Sequence, residues 1–190
     1  MADKYVDIDT LKYMLYDVHK LEDLLNRDRF VDHDKESLDM FLESTKDFAD
    51  RELFPFIKEM DEKPAYHKDG KVYVHSQVET MMKKGGELGF ISASFDYDIG
   101  GMQIPLMAHT AATYILDAAN NHLPGYAGLT QGAAELIIHF ANKNLVETYV
   151  PEMLSGNWGG TMCLTEPQAG SSLSDIVTKA IPTENGYHKI

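Results

Sequence analysis

From Asp34 onward the apolar positions fall on one helical face. Leu38, Phe41, Leu42, Thr45, Phe48, Ala49, Glu52, Leu53 and Phe56 follow the i, i+3, i+4, i+7 rhythm of an amphipathic helix. Pro55 removes an amide donor near its end and predicts a kink or stop. Residues 1–33 are acidic with short apolar clusters at helical spacing (Leu11, Met14, Leu15, Val18, then Leu21, Leu24, Leu25), an extension expected to lie across the main body. Residues 61–75 are polar, with turn chemistry at Asp69-Gly70, and read as a loop or short ribbon. Ser76 and Glu79 have the spacing of a capping box, opening a helix that runs to about Leu88 with Gly89 as a left-handed stop. Gly100-Gly101 marks a turn, and Pro105 suits the first position of an Ala-rich helix over 105–119. Further helices are expected from Thr130 to about Asn142 and from an Asn144/Glu147 cap to just before Gly156, the latter distorted by Pro151.

After Gly156 the pattern changes. Trp158, Thr161, Cys163 and Thr165 come close to a period-two alternation and predict a strand. Residues 175–190 read as two short strands around Glu184-Asn185-Gly186. A mainly α fold is therefore expected. It has an extension over 1–33, a helical domain over 34–156, and the incomplete start of a β-domain over 157–190, truncated in mid-strand at Ile190.

Composition narrows the function classes. The 190 residues are 44% apolar and 25% charged, as expected of a soluble globular chain. A formal charge of −13 disfavours a nucleic-acid partner on bulk electrostatics. No apolar run approaches the roughly 20 residues of a membrane span, and the first ten residues lack the apolar stretch of a signal peptide. One cysteine, Cys163, excludes an internal disulfide and suits a reducing cytoplasm. No Lys or Arg lies between Lys84 and Lys143, so this Ala- and Gly-rich middle is where helices buried against one another or against a ligand are expected.

The chemistry-bearing stretch is Met162-Cys163-Leu164-Thr165-Glu166-Pro167-Gln168-Ala169-Gly170-Ser171-Ser172-Leu173-Ser174-Asp175-Ile176. A strand ending at Thr165 can hold one hydroxyl and several amides against the edge of a flat ring. Pro167 stiffens the exit, and Gly170 permits a backbone conformation barred to other residues. Successive amides at Gly170, Ser171 and Ser172 can then form a concave nest for a diphosphate, with the Ser171 hydroxyl as a further donor. The plainer reading is a Gly/Pro loop that follows a strand.

This string resembles the signature of the flavin-dependent acyl-CoA dehydrogenases, roughly [aromatic or Met]-C-[VL]-T-E-P-x-A-G-S-D, departing from it at Ser172, where many members carry aspartate. The segment from Leu123 to Gly156 (LPGYAGLTQGAAELI…ETYVPEMLSG) is similar to that family's last N-terminal helices, and the extension before Asp34 resembles its longer branch. The resemblance implies FAD held by Met162, Leu164, Thr165, Gly170, Ser171 and Ser172, with the Thr165 side chain and the Leu164 amide at the pyrimidine side of the ring. It also places Ser171 near the CoA moiety. The implied activity is Cα–Cβ desaturation of an acyl-CoA: a carboxylate removes the α-proton and the flavin accepts hydride, with electrons leaving through an electron-transfer flavoprotein. In the family the base lies in a C-terminal helical domain. No glutamate here matches it, and Glu166 is not assigned that role. No catalytic residue is therefore named, and the 190-residue chain is expected to be inactive and to bind FAD weakly or not at all.

Gly125, Gly128 and Gly132 share one face if their segment is helical. Two readings stay open: room for an acyl tail or thioester, as the resemblance suggests, or close packing of a neighbouring helix. The histidines include no i, i+4 pair and no HExxH, so no metal site is expected. Cys163 reads as a buried inert thiol and the methionines as fillers between helices. There is no Walker motif. A stand-alone helical interaction module that has lost its cofactor is the alternative of a different class. A DNA-binding role, borrowed from another branch of the family, conflicts with the charge. Apolar surface left open near Gly125–Gly132 or Tyr187–Ile190 is expected to drive self-association into a homo-oligomer.

Overall fold

The computed structural model describes residues 5–190. Asp7 accepts from the Asp9 and Thr10 amides and starts α1, Ile8–Tyr13. A π-helical turn, Met14–Val18, the short α2, Glu22–Leu25, and a 3-10 turn, Asp28–Phe30, complete the extension. It lies across the main body, as its apolar clusters predict. Leu15, Tyr16 and Leu21 are buried, the Tyr16 hydroxyl donates to Asp39 at 2.9 Å, and Lys12 pairs with Glu43 at 2.7 Å.

Asp34 and Ser37 cap each other reciprocally and open α3, Lys35–Phe48. Its apolar stripe is the buried face: Leu38, Phe41, Leu42, Thr45 and Phe48. The chain then loosens into a π-helical turn over Ala49–Leu53 and a 3-10 turn over Phe54–Phe56 that contains Pro55, before α4, Ile57–Glu62. The missing proline amide and the ring's demand for space account for the break.

Strands β1, Tyr66–Lys68, and β2, Lys71–Tyr73, pair as an antiparallel ribbon with Asp69 (φ 51°) and Gly70 (φ 75°) at the turn. Two left-handed residues are what a two-residue hairpin needs to match strand twist. Helix α5, Gln77–Glu87, follows, but the expected Ser76/Glu79 box is not formed. The Ser76 side chain caps nothing, and Glu79 pairs with Lys83 at 2.6 Å instead. Gly89 takes the left-handed stop, φ 78°.

Residues 90–104 have little regular structure yet bury Phe90, Ile91, Ala93, Phe95 and Ile104. Their backbone is satisfied by pairs such as Ile104 N to Ala93 O at 2.8 Å and Gln103 N to Phe95 O at 2.9 Å. Pro105 is not the first helical residue but the one before it, preceding α6, Leu106–Asn120. Helix α7, Pro124–Phe140, begins six residues earlier than its apolar pattern predicts, because Pro124 sits at its first position and the glycines after it are helical. Helix α8, Lys143–Leu154, is capped by the Asn142 side chain on the Leu145 amide rather than by Asn144 and Glu147. Asn144 lies inside the helix and Glu147 pairs with Lys143. Pro151 leaves α8 unbroken.

Two glycines let the α5 and α8 backbones meet. A Cβ on Gly86 would overlap the Ser155 carbonyl, and one on Gly156 (φ 77°) would overlap the Met82 carbonyl, so the α5 backbone lies against the exit of α8. Helices α5, α6 and α7 enclose the core with α3, and Asn120, fully buried, donates to the Leu53 carbonyl at 3.0 Å. Beyond α8 the expected strand over 158–165 is absent. The segment has no regular structure and no partner strand, and alternation without a ladder does not make a sheet. The final hairpin does form, as β3, Ile181–Pro182, and β4, His188–Lys189, turning through Gly186 at φ 78°. No helix of the described residues is long and apolar enough to cross a membrane.

Candidate functional site

The loop carrying the motif leaves the helical body at one anchor. Gly160 donates its amide to the buried Thr130 hydroxyl of α7 at 2.9 Å. A Cβ there would sit 2.6 Å from Ala133 Cβ and 2.9 Å from Met153 Cε, so only glycine brings the segment this close. Trp158 packs on Tyr149 of α8, with ring centroids 5.6 Å apart, and fixes the approach. The sequence reading missed Gly160 and Thr130, since their pairing is a long-range contact with no local pattern.

Past this anchor the chain runs without regular structure through Leu164 and Thr165, both exposed, as is Met162. Glu166 and Ala169 then exchange backbone bonds (2.8 and 3.2 Å) around Pro167-Gln168, and Ala169 is the one buried residue between 161 and 190. The Glu166 carboxylate accepts from the Val177 amide at 2.9 Å, the Thr178 amide at 2.9 Å and Gln168 Nε2 at 2.6 Å. The Thr178 side chain and these donors hold its carboxyl down at about 2. The residues between form a closed loop containing a 3-10 turn, Leu173–Asp175.

Gly170, Ser171 and Ser172 lie on this loop, exposed to solvent. Among the described residues no acceptor takes their three successive amides, and the Leu164 amide and the Thr165, Ser171 and Ser172 hydroxyls have no partner either. A Cβ on Gly170 would meet nothing within 4 Å, so the loop is open, not plugged. Two expectations fail here. Gly170 does not adopt a left-handed φ, nor does any other residue of 161–178, so the alternation of hand that builds an anion nest is not formed. Cys163 is exposed, not buried, because the strand expected to carry it does not form; its sulfur lies 3.9 Å from the Thr161 hydroxyl.

The three glycines of α7 do share a face, since the helix runs through all of them. That face points away from the buried side at Ala127, Thr130 and Ala134. Gly125 and Gly128 are exposed and Gly132 half-buried. A Cβ on any of the three would meet nothing within 4 Å, so no helix among the described residues fills the notch. Beside Gly128 a cavity of about 40 Å³ is lined by Met81, Phe90, His109, Thr113 and Gln131, room for about one water. Burial holds the His109 pKa below its ordinary value, favouring neutral imidazole. Among the described residues no group of His, Cys, Asp and Glu has the geometry of a metal site.

Over 149 residues the chain is 30% identical to 3-methylmercaptopropionyl-CoA dehydrogenase of Ruegeria pomeroyi, covering 78% of this chain and 25% of that protein. It is 28% identical over 143 residues to the rat mitochondrial long-chain specific acyl-CoA dehydrogenase, covering 75% of this chain and 30% of the relative. The chain thus spans roughly a quarter to a third of these relatives' length. The solved butyryl-CoA dehydrogenase of Megasphaera elsdenii has the same fold, with a TM-score of 0.67 at 22% identity over 82% of this chain and 39% of its own. Residues 35–157 match the family model described as "Acyl-CoA dehydrogenase, N-terminal domain". That match takes in well over half of the chain, which therefore belongs to the acyl-CoA dehydrogenase family.

Proposed function

We propose that this chain forms the flavin-edge and acyl-facing part of an FAD-dependent dehydrogenase that desaturates an acyl-CoA between Cα and Cβ. One observation carries the reading: Leu164, Thr165 and Gly170–Ser172 present amides and hydroxyls with no partner among the described residues, on an open loop, within the family's signature string. Such a donor set suits a diphosphate and the carbonyl edge of a flavin ring. When bound, FAD supplies the hydride acceptor. The Leu164 amide and Thr165 hydroxyl orient the ring and stabilise the negative charge it gains. The Ser171 hydroxyl and the amides of Gly170, Ser171 and Ser172 bind the diphosphate, and Ser171 also faces the CoA. The α7 notch at Gly125, Gly128 and Gly132 accommodates the acyl or thioester end. Electron-transfer flavoprotein is the proposed redox partner of the whole enzyme.

Because the nest geometry is not preformed, the loop must adjust around the diphosphate, which weakens binding. The 190-residue chain alone is expected to bind FAD weakly and to leave acyl-CoA unreacted, no carboxylate being assigned as base. Titration of the chain with FAD, followed by quenching of flavin fluorescence, tests this. Saturable binding that Thr165→Val and Ser171→Ala each weaken is the expected result; binding indifferent to both substitutions contradicts it.

A helical interaction module is the second reading, favoured by the exposure of Leu129, Leu136 and Phe140 on α7 and of Tyr187 and Ile190 at the end of the chain. It predicts concentration-dependent self-association without any response to FAD.

A further inference from the structure

Glu166 lies beside the proposed flavin loop and touches none of the groups assigned to the ligand. We propose that it is a positioning residue, whose carboxylate clasps both ends of the 166–178 loop and thereby aims the Gly170–Ser172 amides; this rests on the flavin reading above.

Four features support the clasp. No ladder holds residues 161–178, and the loop leaves the helical body at Gly160, so something local must close it. The two carboxylate oxygens divide the work: Oε1 takes the Thr178 amide, while Oε2 takes the Val177 amide and Gln168 Nε2. Bonds to Val177 and Thr178 reach eleven and twelve residues along the chain, so one side chain joins the entry of the loop to its exit. The reciprocal Glu166–Ala169 bonds and the burial of Ala169 fix the backbone that carries this side chain. Within the closed loop, Leu173 N donates to the Ser171 carbonyl and Asp175 N to the Ser172 carbonyl, while the amides of both serines have no partner among the described residues.

The clasp needs two anionic oxygens at glutamate's reach. Glutamine would turn an NH2 group towards one of the amides, donor against donor. Aspartate is one methylene short. Bonds to a charged acceptor are the strong class, so their loss should be measurable even on an exposed loop.

The test uses the full 190-residue chain, comparing it with Glu166→Gln and Glu166→Asp. NMR reads the Glu166 carboxyl titration, amide exchange at Val177 and Thr178, and FAD binding. The expected results are a carboxyl that titrates well below the ordinary glutamate range and slowed exchange at both amides. In Glu166→Gln both amides should exchange faster and FAD affinity should fall about tenfold, the order expected for lost charge-assisted bonds. The thermal midpoint of the helical body should not move. An ordinary Glu166 titration, or freely exchanging Val177 and Thr178 amides in the unsubstituted chain, overturns the clasp whether or not FAD binds. Released amides with unchanged FAD affinity overturn the positioning role. A clasp present in a chain that ignores FAD overturns the flavin reading and, with it, the purpose given to the clasp. Full retention of FAD affinity by Glu166→Asp also counts against it, since the shorter side chain cannot span the loop.

Discussion

Replacing Gly128 and Gly132 together by alanine separates two explanations for glycine on α7. Both are helical, neither has positive φ, and a methyl group at either would meet no atom within 4 Å. With no overlap to oppose it, the difference is intrinsic helix propensity, about 0.8–1.0 kcal/mol per Gly→Ala change. Part of that comes from the reduced freedom of the unfolded chain. Gly125 is left out because it is the second residue of the helix, where propensity counts for less. The pair should therefore stabilise the chain by about 2 kcal/mol. For a chain of this size that is about 4–8 °C in Tm. Thermal and urea unfolding by circular dichroism, at a dilution where sedimentation shows one species, is the assay. An unchanged or lowered midpoint would refute the reasoning, because it would mean that a packing neighbour already fills the notch. A raised midpoint means the glycines cost stability within this chain and are kept for something outside it.

Other substitutions follow from the same contacts. Gly156→Ala adds left-handed strain of about 1–2 kcal/mol to an overlap with the Met82 carbonyl, and overpacking costs about 1–3 kcal/mol more; Gly70→Ala, at similar φ with open space, should lose the first alone. Both are read by urea unfolding. Asn120→Ala leaves the Leu53 carbonyl unpaired in the core and should cost about 1–3 kcal/mol by the same measurement. His109 gives a pH dependence. Its folded pKa lies below the unfolded 6.5, so the unfolded chain takes the proton first and this contribution, complete above that pH, declines as pH falls through it. His109→Gln should flatten that part of the stability profile between pH 7.5 and 5.5.

Much of the fold was legible because it is periodic. The stripe from Leu38 to Leu53 is buried as its spacing predicts, and Asp69-Gly70, Gly89, Gly100 and Gly186 sit at the left-handed turns their residue types allow. What failed were local patterns whose outcome depends on distant groups. Ser76 and Glu79 have box spacing, but Lys83 takes the glutamate. Residues 158–165 alternate like a strand, yet no partner strand lies beside them, so Cys163 stays exposed. In the candidate site, the motif identifies which residues share the loop. It does not give the φ of Gly170 or the Gly160–Thr130 anchor, which joins residues thirty apart.

The central claim is that residues 162–172 meet the cofactor. Assigned amide spectra of the chain recorded during addition of FAD test it most directly. The account predicts saturable shifts at Leu164, Thr165 and Gly170–Ser172, with the α3 and α6 amides unmoved. Shifts centred elsewhere, or a loop that stays silent while FAD binds, would contradict it.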